Sequence, residues 1–110
     1  MSNQTAFIVR LTAKPELRER FRTELFNVVN QMAHEPDFIN TWVHEDAEDA
    51  NTFVLYETWG CSREFFLANH LQKDYRVSYE ALLPELLAKP RAIDFLNIVG
   101  SYPSRVSTAI

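Results

Sequence analysis

The apolar positions of the chain change spacing several times, and each change marks the boundary of a predicted element. Residues 6–12 are mostly β-branched or aromatic, which is typical of a strand. From Leu17 onward, apolar side chains recur at helical spacing, which predicts a helix with one apolar stripe. Pro15 is tolerated in the first turn of this helix, and Pro36 requires the helix to end before it.

The rest of the chain predicts three further strands and a second helical region. Residues 38–45 and 52–59 have the composition of strands, and the polar residues 46–51 between them predict an antiparallel hairpin. Residues 62–88 have helical spacing in two parts, and residues 91–99 form the fourth predicted strand. The resulting order, β-α-β-β-α-β, is that of a ferredoxin-like α+β fold.

The length of 110 residues fits a single domain over residues 1–110. We expect its core to cover about residues 5–100. Residues 101–110 form a tail rich in Ser and Thr, which we expect to be ordered only where it docks.

The predicted strands carry apolar residues on both faces. In the first strand, Phe7 and Val9 point to one side of the sheet, whereas Ala6 and Ile8 point to the other. Because two helices cover only one face of a four-stranded sheet, the other face needs a partner. We therefore expect a homodimer that packs sheet against sheet about a two-fold axis.

The composition excludes several classes of protein. A net charge of −4 without a basic stripe argues against binding to nucleic acid or to anionic membranes. Gly60 and Gly100 are the only glycines, so Gly-rich nucleotide loops and the hydrolase nucleophile elbow are not expected. The first residues do not resemble a signal peptide, no run has the length of a membrane span, and Cys61 is the single cysteine. These features predict a reducing, cytoplasmic location.

Five side chains place chemical groups among apolar neighbours. His44 lies near the end of the second strand and His70 lies in the break between the two helical parts. Glu57 and Trp59 share one side of the third strand, and Tyr56 lies on the other side. A histidine can take a proton from a phenol or an enol near neutral pH, and a carboxylate can orient it or act as the base.

Each of these residues also has a purely structural interpretation. His44 would be hydrogen-bonded at a strand end, His70 would be an exposed or capping residue, and Glu57 would pair with an arginine across the sheet. The aromatic residues would pack in the core or in a subunit interface; they are Trp42, Trp59 and Tyr56.

Metal and thiol chemistry are weakly supported. His44, His70 and Glu57 could form a site of two histidines and one carboxylate, but no local histidine pair is present, so we expect no metal. Cys61 has no adjacent histidine that would activate it as a nucleophile.

Several segments resemble the antibiotic biosynthesis monooxygenase (ABM) family. The most specific is Phe53-Val54-Leu55-Tyr56-Glu57-Thr58-Trp59, which resembles the F-x-x-Y-E-x-W strand of that family. The similarity extends over about residues 5–100 and includes Leu11-Thr12-Ala13-Lys14-Pro15, Glu35-Pro36-Asp37-Phe38, Val43-His44-Glu45-Asp46 and the helix from Phe65 to His70-Leu71.

The resemblance implies a dimeric α+β barrel and a cofactor-independent monooxygenase. Such an enzyme oxidises a quinol-like or polycyclic phenolic small molecule with O₂, without metal, flavin or haem. His44 and His70 would be the acid/base groups and Glu57 would orient a partner. The substrate would contact Trp59, Tyr56, Trp42 and Phe66.

Two departures from the family pattern bear on the substrate. Gln72-Lys73-Asp74 replaces a small-Pro-His stretch, which changes the substrate end of the pocket. The first strand offers Val9 and Arg10 but no asparagine, which disfavours the haem breakdown seen in some relatives.

Two other functions are compatible with the sequence. An acid–base isomerase of a small hydroxy-ketone would need a smaller, more polar pocket with cationic groups. A non-enzymatic dimeric binding protein would have a pocket without catalysis. The monooxygenase hypothesis requires His44 or His70 to line a mostly apolar cavity.

Overall fold

A computed structural model describes residues 4–102, and within them four strands and three helices form two layers. The strands are β1 (Thr5–Thr12), β2 (Phe38–Asp46), β3 (Asp49–Trp59) and β4 (Ala92–Leu96). The helices are α1 (Arg18–Met32), α2 (Arg63–Asn69) and α3 (Asp74–Leu86); short 3-10 turns precede α1 (Pro15–Leu17) and α3 (His70–Gln72). The strands pair antiparallel in the order β2-β3-β1-β4, which confirms the predicted ferredoxin-like α+β fold.

The core lies between the helices and one face of the sheet. Alternate residues of the two central strands point toward the helices, and Phe7 and Leu55 are typical of this buried set. The apolar stripe of α1 packs onto them with Phe21, Leu25, Val28 and Met32. The rings of Phe21 and Phe53 lie 5.5 Å apart at a tilted angle, which is a favourable aromatic arrangement.

The helix boundaries follow from local capping. Pro15 stands in a 3-10 turn, so α1 itself begins at Arg18. The Ser62 hydroxyl accepts a hydrogen bond from the Phe65 N–H at 3.1 Å and caps α2. The predicted break in the second helical region is the turn from His70 to Gln72, and α3 continues through Pro84 to Leu86.

Two strand boundaries differ from the sequence prediction. The polar loop predicted over residues 46–51 is shorter in the structure, because β2 and β3 extend into it and leave a tight turn. In this turn the Asp46 carboxylate accepts a hydrogen bond from the Glu48 N–H at 3.0 Å. The fourth strand is shorter than residues 91–99, since it pairs only with residues 6–10 of β1. Residues 103–110 of the predicted tail lie outside the described residues.

The second face of the sheet carries no helix within the described residues, and we call it the open face. Its central row is Trp42, Tyr56, Ile8 and Asp94, paired across all four strands. The Trp42 residue is 62% exposed, whereas Tyr56 and Ile8 are half-buried. Apolar side chains therefore reach solvent on this face of the single chain. Among the described residues, no helix is both long enough and apolar enough to cross a bilayer.

Replacing Phe21 with Ala tests the packing of α1 on the sheet. The Phe21 residue is 0% exposed, so the substitution should cost about 3–5 kcal/mol of unfolding free energy. Phe26→Ala on the same helix is the matched control, because Phe26 is only half-buried and lies under the Arg22 guanidinium. Urea unfolding should show a clearly smaller loss for the control. Equal losses would contradict the orientation of α1.

Candidate active site

A cavity of about 210 Å³ lies between the sheet and the helices. Its walls are mostly apolar and come from β1, β3 and β4 and from α1, α2 and α3. The apolar lining includes Phe7, Val9, Leu25, Met32, Leu55, Phe66, Ile93 and Phe95. Among the described residues, its polar lining consists of Glu57, Arg76, Tyr79 and Arg91. A few polar groups converging in an apolar pocket are typical of a small-molecule site.

The Glu57 carboxyl group is the only acidic group in this lining, taken over the described residues. Strand alternation points Glu57 toward the helices, between Phe7 of β1 and Thr41 of β2. The residue is 3% exposed, and its Oε1 accepts a hydrogen bond of 3.0 Å from Trp59 Nε1. Burial raises the pKa of the Glu57 carboxyl group, while the Trp59 hydrogen bond and the charges of Arg76 and Arg91 oppose this rise.

Two arginines bring positive charge to the same cavity. Arg76 of α3 and Arg91, just before β4, both pair with one oxygen of Glu80; the Arg76 Nη2 distance is 3.1 Å. The Arg76 Nη1 also contacts Met32 Sδ at 3.3 Å, and its buried Nε has no partner among the described residues. A guanidinium with a free, buried N–H is suited to bind an anionic oxygen.

Tyr79 adds a hydroxyl group to the lining. Burial raises the pKa of Tyr79, so its hydroxyl stays protonated at neutral pH. It therefore supplies a neutral donor beside the charged groups.

His70 lies behind the cavity wall. The residue is 4% exposed, its Nε2 lies 2.9 Å from Asp37 Oδ2, and its Nδ1 is buried without a partner among the described residues. Its ring packs 4.5 Å from Trp59 and 5.9 Å from Phe66. His70 is therefore a buried residue in contact with the aromatic wall, so the exposure considered for it is wrong, although it does stand at the C-cap of α2.

The fold brings a histidine close to Cys61, although none is adjacent to it in the sequence. One ligand atom each of Asp37, Cys61 and His70 lies within 4.8 Å of the others. Burial and, to a smaller extent, the Asp37 charge raise the pKa of the Cys61 thiol. The thiol is therefore protonated at neutral pH and is a weak nucleophile.

The structure brings together only some of the predicted site residues. Glu57 and Phe66 line the cavity, and Trp59 and His70 stand directly behind it. The open face carries the others: Tyr56, Trp42 and His44. His44 is exposed and its Nδ1 lies 3.0 Å from the Val54 carbonyl oxygen, as its structural interpretation expects.

The sheet therefore separates His44 from His70 within one chain. A metal site of His44, His70 and Glu57 does not form, because His44 points to the opposite face from Glu57. Neither His44 nor His70 lines the 210 Å³ cavity, so the expectation that one of them would do so is wrong for this cavity; among the described residues, Glu57 is the acidic group in its lining.

The polar residues that sequence reasoning missed are Arg76, Tyr79 and Arg91. The i,i+4 spacing of Arg76 and Glu80 could have signalled an ion pair beside the apolar stripe of α3. Arg91 carries no such local signal, because its position at the cavity depends on how β4 pairs with β1.

Comparison with known proteins places the chain in a family. The sequence model described as antibiotic biosynthesis monooxygenase (ABM) matches residues 6–81, so the chain belongs to the ABM family. An uncharacterized protein of Synechocystis sp. is 28% identical over 88 residues, which are 80% of this chain and 58% of that protein. The chain thus spans somewhat more than half the length of this relative.

Solved structures share the fold at low sequence identity. The Mycobacterium tuberculosis protein Rv0793 superposes with a TM-score of 0.81 and 23% identity, over 91% of this chain and 99% of that one. SnoaB, a cofactor-independent oxygenase from Streptomyces nogalater, superposes with a TM-score of 0.78 and 14% identity, over 94% and 100% of the two chains.

The buried carboxyl group of Glu57 predicts a defined pH dependence of stability. Its folded-state pKa lies above the ordinary value of 4.5, so the native protein holds this proton more tightly than the unfolded chain. The stabilisation is complete below pH 4.5 and is lost as the pH rises through the folded-state pKa. Across that window, the unfolding free energy of the wild type should fall by about 1.4 kcal/mol per pH unit relative to Glu57→Gln.

Glu35→Gln provides a control of opposite sign. A hydrogen bond from Tyr75 lowers the pKa of the Glu35 carboxyl group, so its stabilisation should be lost as the pH falls. Urea unfolding at several pH values measures both effects. A pH-independent difference between wild type and Glu57→Gln would show that Glu57 is not perturbed by burial.

Proposed function

We propose that this ABM-family protein is a monooxygenase that oxidises a small quinol-like phenol with O₂ in the 210 Å³ cavity. One observation carries the proposal: a buried carboxyl group lies beside two guanidinium groups in an otherwise apolar cavity. This combination suits a substrate that is apolar as a phenol and anionic when it reacts.

Glu57 would remove the phenolic proton. Burial raises the pKa of the Glu57 carboxyl group, which makes its carboxylate a stronger base toward a phenol than an ordinary glutamate. Arg76 and Arg91 would stabilise the resulting phenolate oxygen, and the Trp59 indole N–H would hold the carboxylate in place.

The phenolate would then supply the electrons for O₂. After one electron passes to O₂, the two radicals combine, and a carbon–oxygen bond forms at a hydrogen-bearing ring carbon ortho to the phenolate oxygen. The proton held by Glu57 returns to the peroxide. The hydrogen of that carbon and the outer OH of the hydroperoxide then leave together as water. A carbonyl group remains on the ring, and the four-electron reduction of O₂ is complete. We propose no cofactor, since the substrate is the only reductant required.

The cavity volume favours a compact substrate. An apolar cavity of about 150 Å³ holds benzene, and drug-sized ligands occupy about 300–1,000 Å³. A volume of about 210 Å³ therefore favours phenols of one or two rings over polycyclic ones. Its apolar walls would exclude water from the radical intermediates.

The two arginines also favour a second candidate, an acid–base isomerase of a small anionic hydroxy-ketone. The same Glu57 would move a proton between adjacent carbons, and Arg76 and Arg91 would bind the substrate anion. This reaction would consume no O₂, which separates the two candidates in one assay.

Oxygen consumption with a panel of one- and two-ring hydroquinones, in the presence of a chelator, tests the proposal. Glu57→Gln keeps the shape of the side chain but removes the base, so kcat should fall by about 10²–10⁴-fold. Glu48→Gln is the matched control, because Glu48 is exposed in the β2–β3 turn. Its turnover should equal that of the wild type.

Other outcomes would overturn the monooxygenase proposal. Proton exchange or isomerisation of hydroxy-ketones without oxygen uptake would support the second candidate. Binding of these compounds without any turnover would indicate a non-enzymatic binding protein.

We further propose that the chain acts as a homodimer that covers the open face. The exposed Trp42 and its half-buried neighbours Tyr56 and Ile8 support a sheet-on-sheet contact. In such a dimer, His44 would lie in the interface rather than in the cavity, so its predicted catalytic role would need a pocket that the partner completes. A cytoplasmic location stays a prediction, supported by the unpaired thiol of Cys61.

Trp42→Glu tests the interface. A buried charge in the central row of the open face should raise the dimer dissociation constant by about 30-fold or more, as for an interface hot spot. Val77→Glu adds the same charge to an exposed position of α3 and should leave the dimer intact. Sedimentation equilibrium measures both variants. A dimer that is insensitive to Trp42→Glu would place the interface elsewhere.

A further inference from the structure

We propose that Asp37, Cys61 and His70 form a binding site for a divalent transition-metal ion of the Zn²⁺ class. Each residue offers one ligand atom, and these atoms lie within 4.8 Å of one another. None of the three residues lines the 210 Å³ cavity. The site is therefore distinct from the one proposed for the substrate.

The fold brings the three residues together from separate segments and holds them in place. Asp37 precedes β2 and Cys61 follows β3; the Gly60 N–H donates to the Asp37 carbonyl oxygen at 2.6 Å. The Thr5 hydroxyl donates to the Cys61 carbonyl oxygen at 2.7 Å, which ties this segment to β1. His70 is held by its contact with Trp59. The donors are thus positioned before any ion binds.

The donor set suits zinc. One thiolate, one imidazole nitrogen and one carboxylate oxygen are all common ligands of Zn²⁺, at about 2.0–2.3 Å from the metal. Around a tetrahedral ion, donors at these distances lie roughly 3–4 Å apart. The three ligand atoms, now within 4.8 Å of one another, would move closer together on binding, and a water molecule would complete the coordination.

Burial and access are also consistent with an ion site. The Asp37 side chain is 33% exposed and gives access from solvent, whereas the Cys61 and His70 residues are buried. A buried imidazole nitrogen without a partner is costly, and His70 Nδ1 is such an atom among the described residues. A metal ion bound to His70 Nε2 would replace the hydrogen bond between this nitrogen and Asp37. A metal ion bound to Nδ1 would instead give that nitrogen a partner.

Cobalt binding by the full chain, stripped of metal with a chelator and kept reduced, tests the site. We expect one Co²⁺ per chain and a near-ultraviolet charge-transfer band from thiolate to cobalt, which added Zn²⁺ abolishes. Cys61→Ser should remove the band. Asp37→Asn and Cys61→Ser should each weaken cobalt binding about 10-fold or more. Loss of a residue that only supports a metal ligand already lowers metal affinity by about 10-fold, and these two residues are proposed as ligands themselves.

A histidine outside the proposed site provides the control. His34→Gln changes an exposed histidine at the end of α1 and should leave the spectrum and the affinity unchanged. Circular dichroism confirms that each variant is folded. We expect both Cys61→Ser and Asp37→Asn to fold, because the first is nearly isosteric and the second changes a partly exposed side chain. If one of them does not fold, the other still decides the test. Cobalt binding by the wild type without the charge-transfer band would overturn the proposal. Wild-type cobalt affinity in folded Cys61→Ser or folded Asp37→Asn would overturn it as well. The readout does not depend on oxygen consumption.

Discussion

The alternation of side chains along β3 determines which groups can meet inside this protein. Trp59 and Glu57 are two positions apart, so both point into the layer beneath the helices. The indole N–H then satisfies the buried carboxylate at 3.0 Å, and the indole ring packs against Phe66 and His70. The cavity and the Asp37–Cys61–His70 cluster therefore share one aromatic wall. A change at Trp59 would disturb both sites, because it would leave a buried acceptor unpaired and remove the packing of His70.

The fold could be predicted because its signals are local. The spacing from Leu17 to Met32 indicates one helix face, and the composition of β1 and β3 indicates central strands. The boundaries of the strands are predicted less accurately than their existence. The extension of the hairpin strands into residues 46–51 depends on the tight turn that Asp46 and Asp49 stabilise through their side chains.

The candidate site could be predicted only in part, because the relative position of His44 and His70 depends on long-range pairing. His44 lies opposite Val54, on the face away from Glu57. Irregularities in the β2–β3 pairing at both ends of β2 prevent a simple count of positions from giving this result. The contact of His70 with Asp37 joins residues 33 positions apart, and no local pattern predicts such a contact.

Glu80 has a consequence for what can enter the cavity. Its carboxylate pairs with both Arg76 and Arg91 and offsets part of their positive charge, so it competes with any anionic ligand for these two guanidinium groups. A weakly held inorganic anion would gain little by displacing it. A ligand that becomes anionic only after it gives up a proton inside the cavity avoids this competition on entry, and it acquires its charge where two guanidinium groups can turn toward it. We therefore expect the shared carboxylate to favour ligands that enter the cavity uncharged, such as the phenols proposed above.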